Sequence, residues 1–436
     1  MAFLSLLFSN IKPIRDFGIF TSVGITIAFI LTYTLLPALL YFLSPLAIVK
    51  GRRTNDHVLN GMRSAMLWVF SHQRLIVVLT ALLLLISIFG ISKIRINNIL
   101  LEDLNDKVKI KQDFNFFDRN YSGARPLEIF IKVKSSSASV WDYHIIKQLE
   151  KVEGFISASY RPGFLLSPVN VVKSINESEH GEWKIPDSTD YSELRNKLIK
   201  RRKNRHLLAV VSADGCETRI SGKIGDIGSE QTNKLNAGLR QFIAKNTDTT
   251  LLEFKITGAG HLIDRNNEYM VNNMLQGFCF SVVVIGLLTF LLHRSWRMVL
   301  IFIIPNVVPL IFIAGIMGWC GIELKAASSL IFSIAFGIAT DDTIHFISRL
   351  RLESSSGKSL LYAFKRTYFE TGKPILYTTF ILIGGFMSLM TSSFQSTFYF
   401  GFLICVTIIL ALLCDLFLLP VLLFYFYPSK GIKASK

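Results

Sequence analysis

Seven stretches of this chain are apolar over the length that a bilayer demands. They run over 17–44, 74–93, 274–292, 298–319, 326–347, 375–392 and 399–426, and a helix crosses the hydrocarbon core with about 20 such residues. Lipid-embedded helices tolerate Pro and Gly, so Pro305, Pro309 and the "IGG" at 383–385 do not disqualify their segments. The chain is 51% hydrophobic and 18% charged, with a mean hydropathy of +0.43. Those values exclude an ordinary soluble protein and fit a polytopic membrane protein with some aqueous mass.

The net charge of +16 could suggest nucleic acid, but its location argues otherwise. Much of it sits in short loops beside apolar runs: Lys50, Arg52 and Arg53, then "HRSWR" at 293–297 and "SRLRLE" at 348–353. Placing 45–73 in the cytoplasm puts every strongly basic short loop on one side, as cytoplasmic loops require. The exception is the turn at 9–16, which holds Lys12 and Arg15. The first apolar run, Ala2–Phe8, is too short and too poor in basic flank for a cleavable signal, so membrane entry is expected to use the spans themselves. The five Cys form no CxxC pair and read as small buried hydrophobes rather than as metal or redox sites.

On this topology residues 94–273 are extracytoplasmic and long enough to be a folded domain. Strands are expected at 126–133, 207–213 and 251–258, and helices at 142–155 and 232–246. That alternation suggests βαβ units in an α/β domain. The polar stretch 172–205 reads as a flexible insertion, and its "KRRKNR" (200–205) as a solvated surface in preference to an anion-binding site. "NYS" and "NES" match the glycosylation sequon.

The chain also repeats itself. Residues 3–40 align without a gap on 386–423: Ser9 meets Ser392, Phe17-Gly18 meets Phe400-Gly401, and "LLP" (35–37) meets "LLP" (418–420). Parallel repeats of this kind build many transporters. The expected organisation is a tail of a first repeat (1–44), a cytoplasmic linker (45–73), a transmembrane helix (74–93), the extracytoplasmic domain (94–273), a five-helix bundle of a second repeat (274–427) and a cytoplasmic tail (428–436). It reads as the C-terminal part of a longer two-repeat protein.

"GIATDDTIHF" (337–346) places Asp341, Asp342 and His345 inside a span. An ionisable group at mid-membrane costs about 2.5–3.5 kcal/mol on insertion scales, and Asp341 should be buried at any register. Two adjacent carboxylates do not both ionise readily in low dielectric, which suits a proton carrier. His345 is i+4 from Asp341 and i+3 from Asp342, so it can sit over either, and imidazole titrates near neutrality. Gly337 permits close approach of a neighbouring helix, Thr340 lies beside the acids, and Thr378 and Thr379 are polar candidates on the next helix. Asp415 is a further membrane carboxylate whose repeat partner is Thr32. Three readings compete: a proton relay through Asp341, Asp342 and His345, a polar cluster that only holds helices together, and a metal-binding enzyme site. The relay is preferred.

"IPNVVPLIFIAGIMGWCGIELKAASSLIFSIAFGIATDDTIHF" (304–346) resembles the signature of resistance–nodulation–division (RND) exporters, especially the MMPL and hopanoid-transporter-like group. The likeness extends to "SNIKPIRDFG" and "LLP" in the repeat tail. It implies a polytopic α-helical membrane protein of about seven transmembrane helices with an α/β ferredoxin-like extracytoplasmic domain. The implied activity is proton-driven export of hydrophobic or amphiphilic, lipid-like molecules from a bacterial inner membrane. The family's acidic positions fall on Asp341 and Asp342, with His345 as an accessory. The resemblance implies no cofactor beyond the coupling proton, no enzymatic step and no metal. Its partners would be a lipid-like substrate, a second copy or a complementary N-terminal half, and a periplasmic protein. Family members have two such halves, and this chain lacks the first outer domain and the first acidic helix. The rivals are an inactive half-transporter and a lipid-binding or sensory membrane protein.

Overall fold

The computed structural model describes residues 12–42, 56–121, 123–135, 138–200, 204–355 and 359–426. The expectations placed on 1–11, on Lys50, Arg52 and Arg53, on 201–203 and on the cytoplasmic tail 428–436 lie outside the described residues.

Among the described residues, seven helices are long and apolar enough to cross a membrane. In chain order the elements start with α1 (Lys12–Phe42), α2 (Asp56–Ser71) and α3 (Gln73–Ile91). They resume after the polar segment with α10 (Gly258–His293), α11 (Trp296–Cys320), α12 (Ala326–Ser355) and α13 (Leu360–Met387). A 3₁₀ turn (Ser388–Thr391), α14 (Gln395–Leu413), a π-helical turn (Cys414–Leu418) and α15 (Leu419–Phe426) follow as the last described elements. Two spans start well before the apolar runs that announced them, α10 at Gly258 and α13 at Leu360. Helical hydrogen bonding continues wherever the backbone is uninterrupted, whereas hydropathy reports only the greasy part.

At the offset of 383 that aligns the two sequences, α1 (Lys12–Phe42) falls on 395–425, which holds α14, the π-helical turn and most of α15, so both copies are helical over matching positions. Their surroundings differ: most α1 side chains are exposed, whereas Leu403, Ile404, Thr407 and Leu419 on the second copy are buried.

The chain forms two compact units, one from the residues up to Arg95 and from Tyr269 onward, the other Ile96–Glu268. The membrane unit packs around Ile313, Phe336, Phe346, Phe364, Tyr368 and Leu419. Part of the expected linker belongs to it. Within 45–73, α2 forms a helix with Met62, Met66 and Val69 buried, because apolar residues recur there every three or four positions. α3 and α11 pack closely against each other. A Cβ added at Gly318 would lie 1.8 Å from the Gly90 carbonyl oxygen, and one at Gly315 would lie 2.5 Å from the Ser87 Cα. Small residues on both helices let backbones approach where the hydrophobic effect offers nothing. Of the cysteines, Cys405 and Cys414 are buried, but Cys279 and Cys320 are exposed on the bundle, contrary to a uniform reading as buried hydrophobes.

The second unit contains α4 (Lys109–Asn120), β1 (Arg125–Val133), α5 (Tyr143–Tyr160), β2 (Phe164–Leu166), α6 (Pro168–His180), α7 (Ser188–Lys200), the turn α8 (Arg205–Leu208), β3 (Glu217–Ile224), α9 (Gly228–Asn246) and β4 (Leu252–Thr257). The sheet order is β2-β3-β1-β4 with every pairing antiparallel. Two split β-α-β units therefore interleave, each strand pair being divided by a strand of the other unit. β1 alternates buried and outward residues, with Ile129 and Ile131 against α5 and α9 in the core.

Two expectations are overturned here. Residues 207–213 are not a strand: they end a helical turn, and Val211 makes only an isolated bridge to Thr218. The strand lies just beyond, where "ETRISGKI" alternates in burial although its charges and Gly222 weaken the apolar signal. The stretch 172–205 is no loose insertion, since Val172, Ile185, Tyr191, Leu194 and Leu198 are buried in the core. Leu194 and Leu198 fall at helical spacing within a charged background, which composition alone masks. Asn176 of the "NES" sequon is buried and donates to the Glu182 carbonyl at 2.8 Å, so its amide is not free to carry a glycan.

Candidate functional site

α12 determines the site. Its buried face presents Phe336, Ala339, Thr343, Phe346 and Ile347 to the bundle. At about 100° per residue, Asp341 and His345 fall on the other side. Their side chains are 72% and 70% exposed, with 3.6 Å between His345 Nε2 and Asp341 Oδ1. The expectation of a buried Asp341 is therefore corrected. Depth along the span and burial within the bundle are different quantities, and the helical phase decides the second. His345 pairs with the residue at i−4, Asp341, while Asp342 is half-buried beside them.

These groups line a cavity of about 650 Å³ within the membrane unit. Gly337 and Thr378 join Asp341, Asp342 and His345 in its wall, so five of the seven expected positions converge. The other two do not line it. Thr340 is buried and returns its hydroxyl to the Gly337 carbonyl at 2.9 Å, and Thr379 is buried on α13. Thr378 is also self-satisfied, donating to the Ile375 carbonyl at 2.9 Å. Among the described residues, no group of three or more His, Cys, Asp or Glu side chains could hold a metal ion.

Two features escaped the sequence reading. Glu370 of α13 lines the same cavity and belongs to an ionic network. It pairs closely with Arg349 and accepts from Arg366 at 2.7 Å, while Glu353 bridges both arginines at 3.1 and 3.3 Å. The i,i+4 spacings Arg349/Glu353 and Arg366/Glu370 were the available signal. The second feature lies on the opposite face of α12. Thr343 donates to Asp415 Oδ1 at 2.7 Å and touches Asn306 at 3.1 and 3.2 Å, which links α11, α12 and the π-turn.

The second unit has its own cavity, about 1110 Å³, between α6, α7 and the α8 turn. Val171, Ile175, Leu194 and Leu198 form apolar wall, Trp183 stands at its edge, and Glu179 pairs with Lys197 at 3.2 Å.

Comparison with known proteins places the chain. The MMPL family model matches residues 1–88 and 184–435. A membrane protein of Methanocaldococcus jannaschii, MJ1562, is 24% identical over 365 residues, covering 79% of this chain and 90% of that protein. Protein patched homolog 1 of Caenorhabditis elegans is 26% identical over 173 residues, 38% of this chain and 12% of that protein. The cryo-EM structure of the hedgehog release protein Disp from the water bear Hypsibius dujardini superposes with a TM-score of 0.60 at 11% identity. That superposition takes in 98% of this chain, which spans 57% of the Disp chain, and it speaks to fold alone. Seven apolar helices, the acidic span and the matching family model together make this chain a multi-pass membrane protein of the MMPL family.

Proposed function

We propose that the protein exports hydrophobic or amphiphilic, lipid-like molecules and is driven by the proton gradient across a bacterial inner membrane. The observation that supports this reading best is the convergence of Asp341, Asp342 and His345 on one cavity in the membrane unit. Ionisable groups are expensive at that depth, and transporters use them as ion relays. Protonation of the carboxylates removes charge from the cavity wall and changes which packing of α12 against α13 is favoured.

The outer unit takes up substrate. Its split β-α-β connectivity supports a ferredoxin-like domain, and its cavity of about 1110 Å³ has the apolar wall and polar edge that suit an amphiphile. The chain carries out transport without enzymatic chemistry. It acts with a complementary bundle, from a second copy or an N-terminal half, because Asp341 and His345 lie on the outside of the bundle. A periplasmic partner would receive the substrate.

The test uses full-length protein in proteoliposomes with an imposed pH gradient and fluorescently labelled phosphatidylethanolamine as probe. Gradient-driven movement of the probe is expected for the native chain. It should be lost in the Asp341→Asn/Asp342→Asn variant, with insertion unchanged. Movement that survives in that variant overturns the relay.

A further inference from the structure

Asp415 lies on the far side of α12 from the cavity acids and has no part in the mechanism just described. It is 2% exposed and sits in the π-turn Cys414–Leu418, a distortion that recurs at functional positions. Its Oδ1 accepts from Thr343 at 2.7 Å, and its Oδ2 has no hydrogen-bond partner among the described residues. A buried carboxyl held by one neutral hydroxyl is costly for a structural tie alone. Nor does the helix itself demand an acid, because the repeat-related residue is Thr32, which returns its hydroxyl to the Ala28 carbonyl.

The hydrogen bonds around Asp415 admit two complete arrangements over the same distances. With Asp415 ionised, the Thr343 hydroxyl donates to it at 2.7 Å, while the Asn306 amide donates to Thr343 Oγ1 at 3.1 Å and to the Phe302 carbonyl at 2.6 Å. With Asp415 protonated, its own O–H donates to Thr343 Oγ1. The Thr343 hydroxyl then turns to Asn306 Oδ1 at 3.2 Å. One proton on Asp415 thus reverses the Thr343 hydroxyl and reports that change to α11.

We propose that Asp415 is a third proton-binding carboxyl of the membrane unit, and that the Thr343 hydroxyl and Asn306 form a two-state reader of its proton. The proposal rests on the transport reading for its role. The proton is the coupling proton: Asp415 gains it as a carboxyl O–H and later releases it, and only O–H bonds form and break. Four neighbours bear on this group from the packed elements. Asp342 on α12 is the charge that acts on it, and Cys414 precedes it in the π-turn. Tyr368 on α13 donates to the Leu416 carbonyl at 3.5 Å, and α11 contributes the neutral Asn306.

The experiment is infrared difference spectroscopy of the full chain in lipid vesicles across a pH step, without transport substrate. A protonated-carboxyl band is expected that persists in Asp341→Asn/Asp342→Asn and disappears in Asp415→Asn. Thr343→Val should shift the band and Thr343→Ser should leave it in place, which a purely structural tie would not predict. Carboxyl bands unchanged in Asp415→Asn overturn the proposal. If that variant does not insert, an unshifted band in Thr343→Val does the same. Because no transport is read, failure here is separable from failure of the exporter reading, which the proteoliposome assay decides.

Discussion

Arg125 is among the largest fully buried side chains of the described residues, and replacing it tests how the second unit is held together. Its guanidinium reaches Asp226 at 2.8 Å and makes a short contact with Asp264, with side-chain exposures of 1%, 4% and 1%. The same group donates to the Asn98 carbonyl at 3.4 Å, and Asp226 accepts from the Leu100 amide at 2.5 Å. One cation thus ties the segment that enters the unit, the start of β1 and the first turns of α10. Arg125→Met keeps most of the side-chain length and removes the charge, leaving two buried carboxylates without a cation. Breaking a buried pair in this way costs about 3–5 kcal/mol. At 1.4 kcal/mol per factor of ten, that is about a 150- to 4000-fold loss of protection. Hydrogen exchange followed by mass spectrometry on the peptide containing Leu100 reads it directly. A second variant sharpens the reasoning. Arg125→Met combined with Asp226→Asn and Asp264→Asn should recover most of the loss, because the uncompensated charges are gone. A decrease below tenfold in the single variant, or no recovery in the triple, would refute the assignment of the cost to buried charge.

Three further outcomes follow from the same structure. Gly318→Ala drives a Cβ into the Gly90 carbonyl oxygen, backbone against backbone, so the α3–α11 contact must open; a loss of about 1–3 kcal/mol is expected, visible as a lower Tm in detergent. Glu153 is buried and accepts from Ser167 at 2.9 Å, and burial pushes its carboxyl above the usual value of 4.5. Its contribution to stability is therefore full below 4.5 and lost as pH rises through the raised value; Glu153→Gln should flatten that part of the second unit's pH–stability curve, and an unchanged slope would contradict it. Tyr191→Phe removes the donor that meets the Trp141 carbonyl at 2.9 Å in the core; the loss should be about 1–3 kcal/mol by denaturation of the full chain, since an acceptor is left unsatisfied.

The spans, the acidic helix and the repeat were legible because each is a local property. A run of apolar residues, or an Asp-Asp-x-x-His spacing, needs no knowledge of what lies opposite. The readings that went astray needed that knowledge. β3 was missed because "ETRISGKI" alternates on one face only, and its charged residues obscure the pattern until β1 and β2 are placed beside it. α7 looked like a loop because three buried positions, Tyr191, Leu194 and Leu198, sit among nine or so polar neighbours.

The sequence by itself determined that this chain lives in a membrane, where its helices lie, and that α12 carries two acids and a histidine. Hydropathy and helical spacing suffice for that, since the bilayer forces every spanning segment to satisfy its own backbone. Only the tertiary structure decided which way those acids face. It turned Asp341 and His345 outward and Thr343 inward on the same helix, a matter of helical phase against neighbours that lie far away in the chain. It also assembled the two buried polar clusters. Thr343 meets Asn306 across 37 positions and Asp415 across 72, and Arg125 meets Asp226 across 101 and Asp264 across 139. No local pattern encodes such meetings, because the residues share a site only once the helices and sheet have packed.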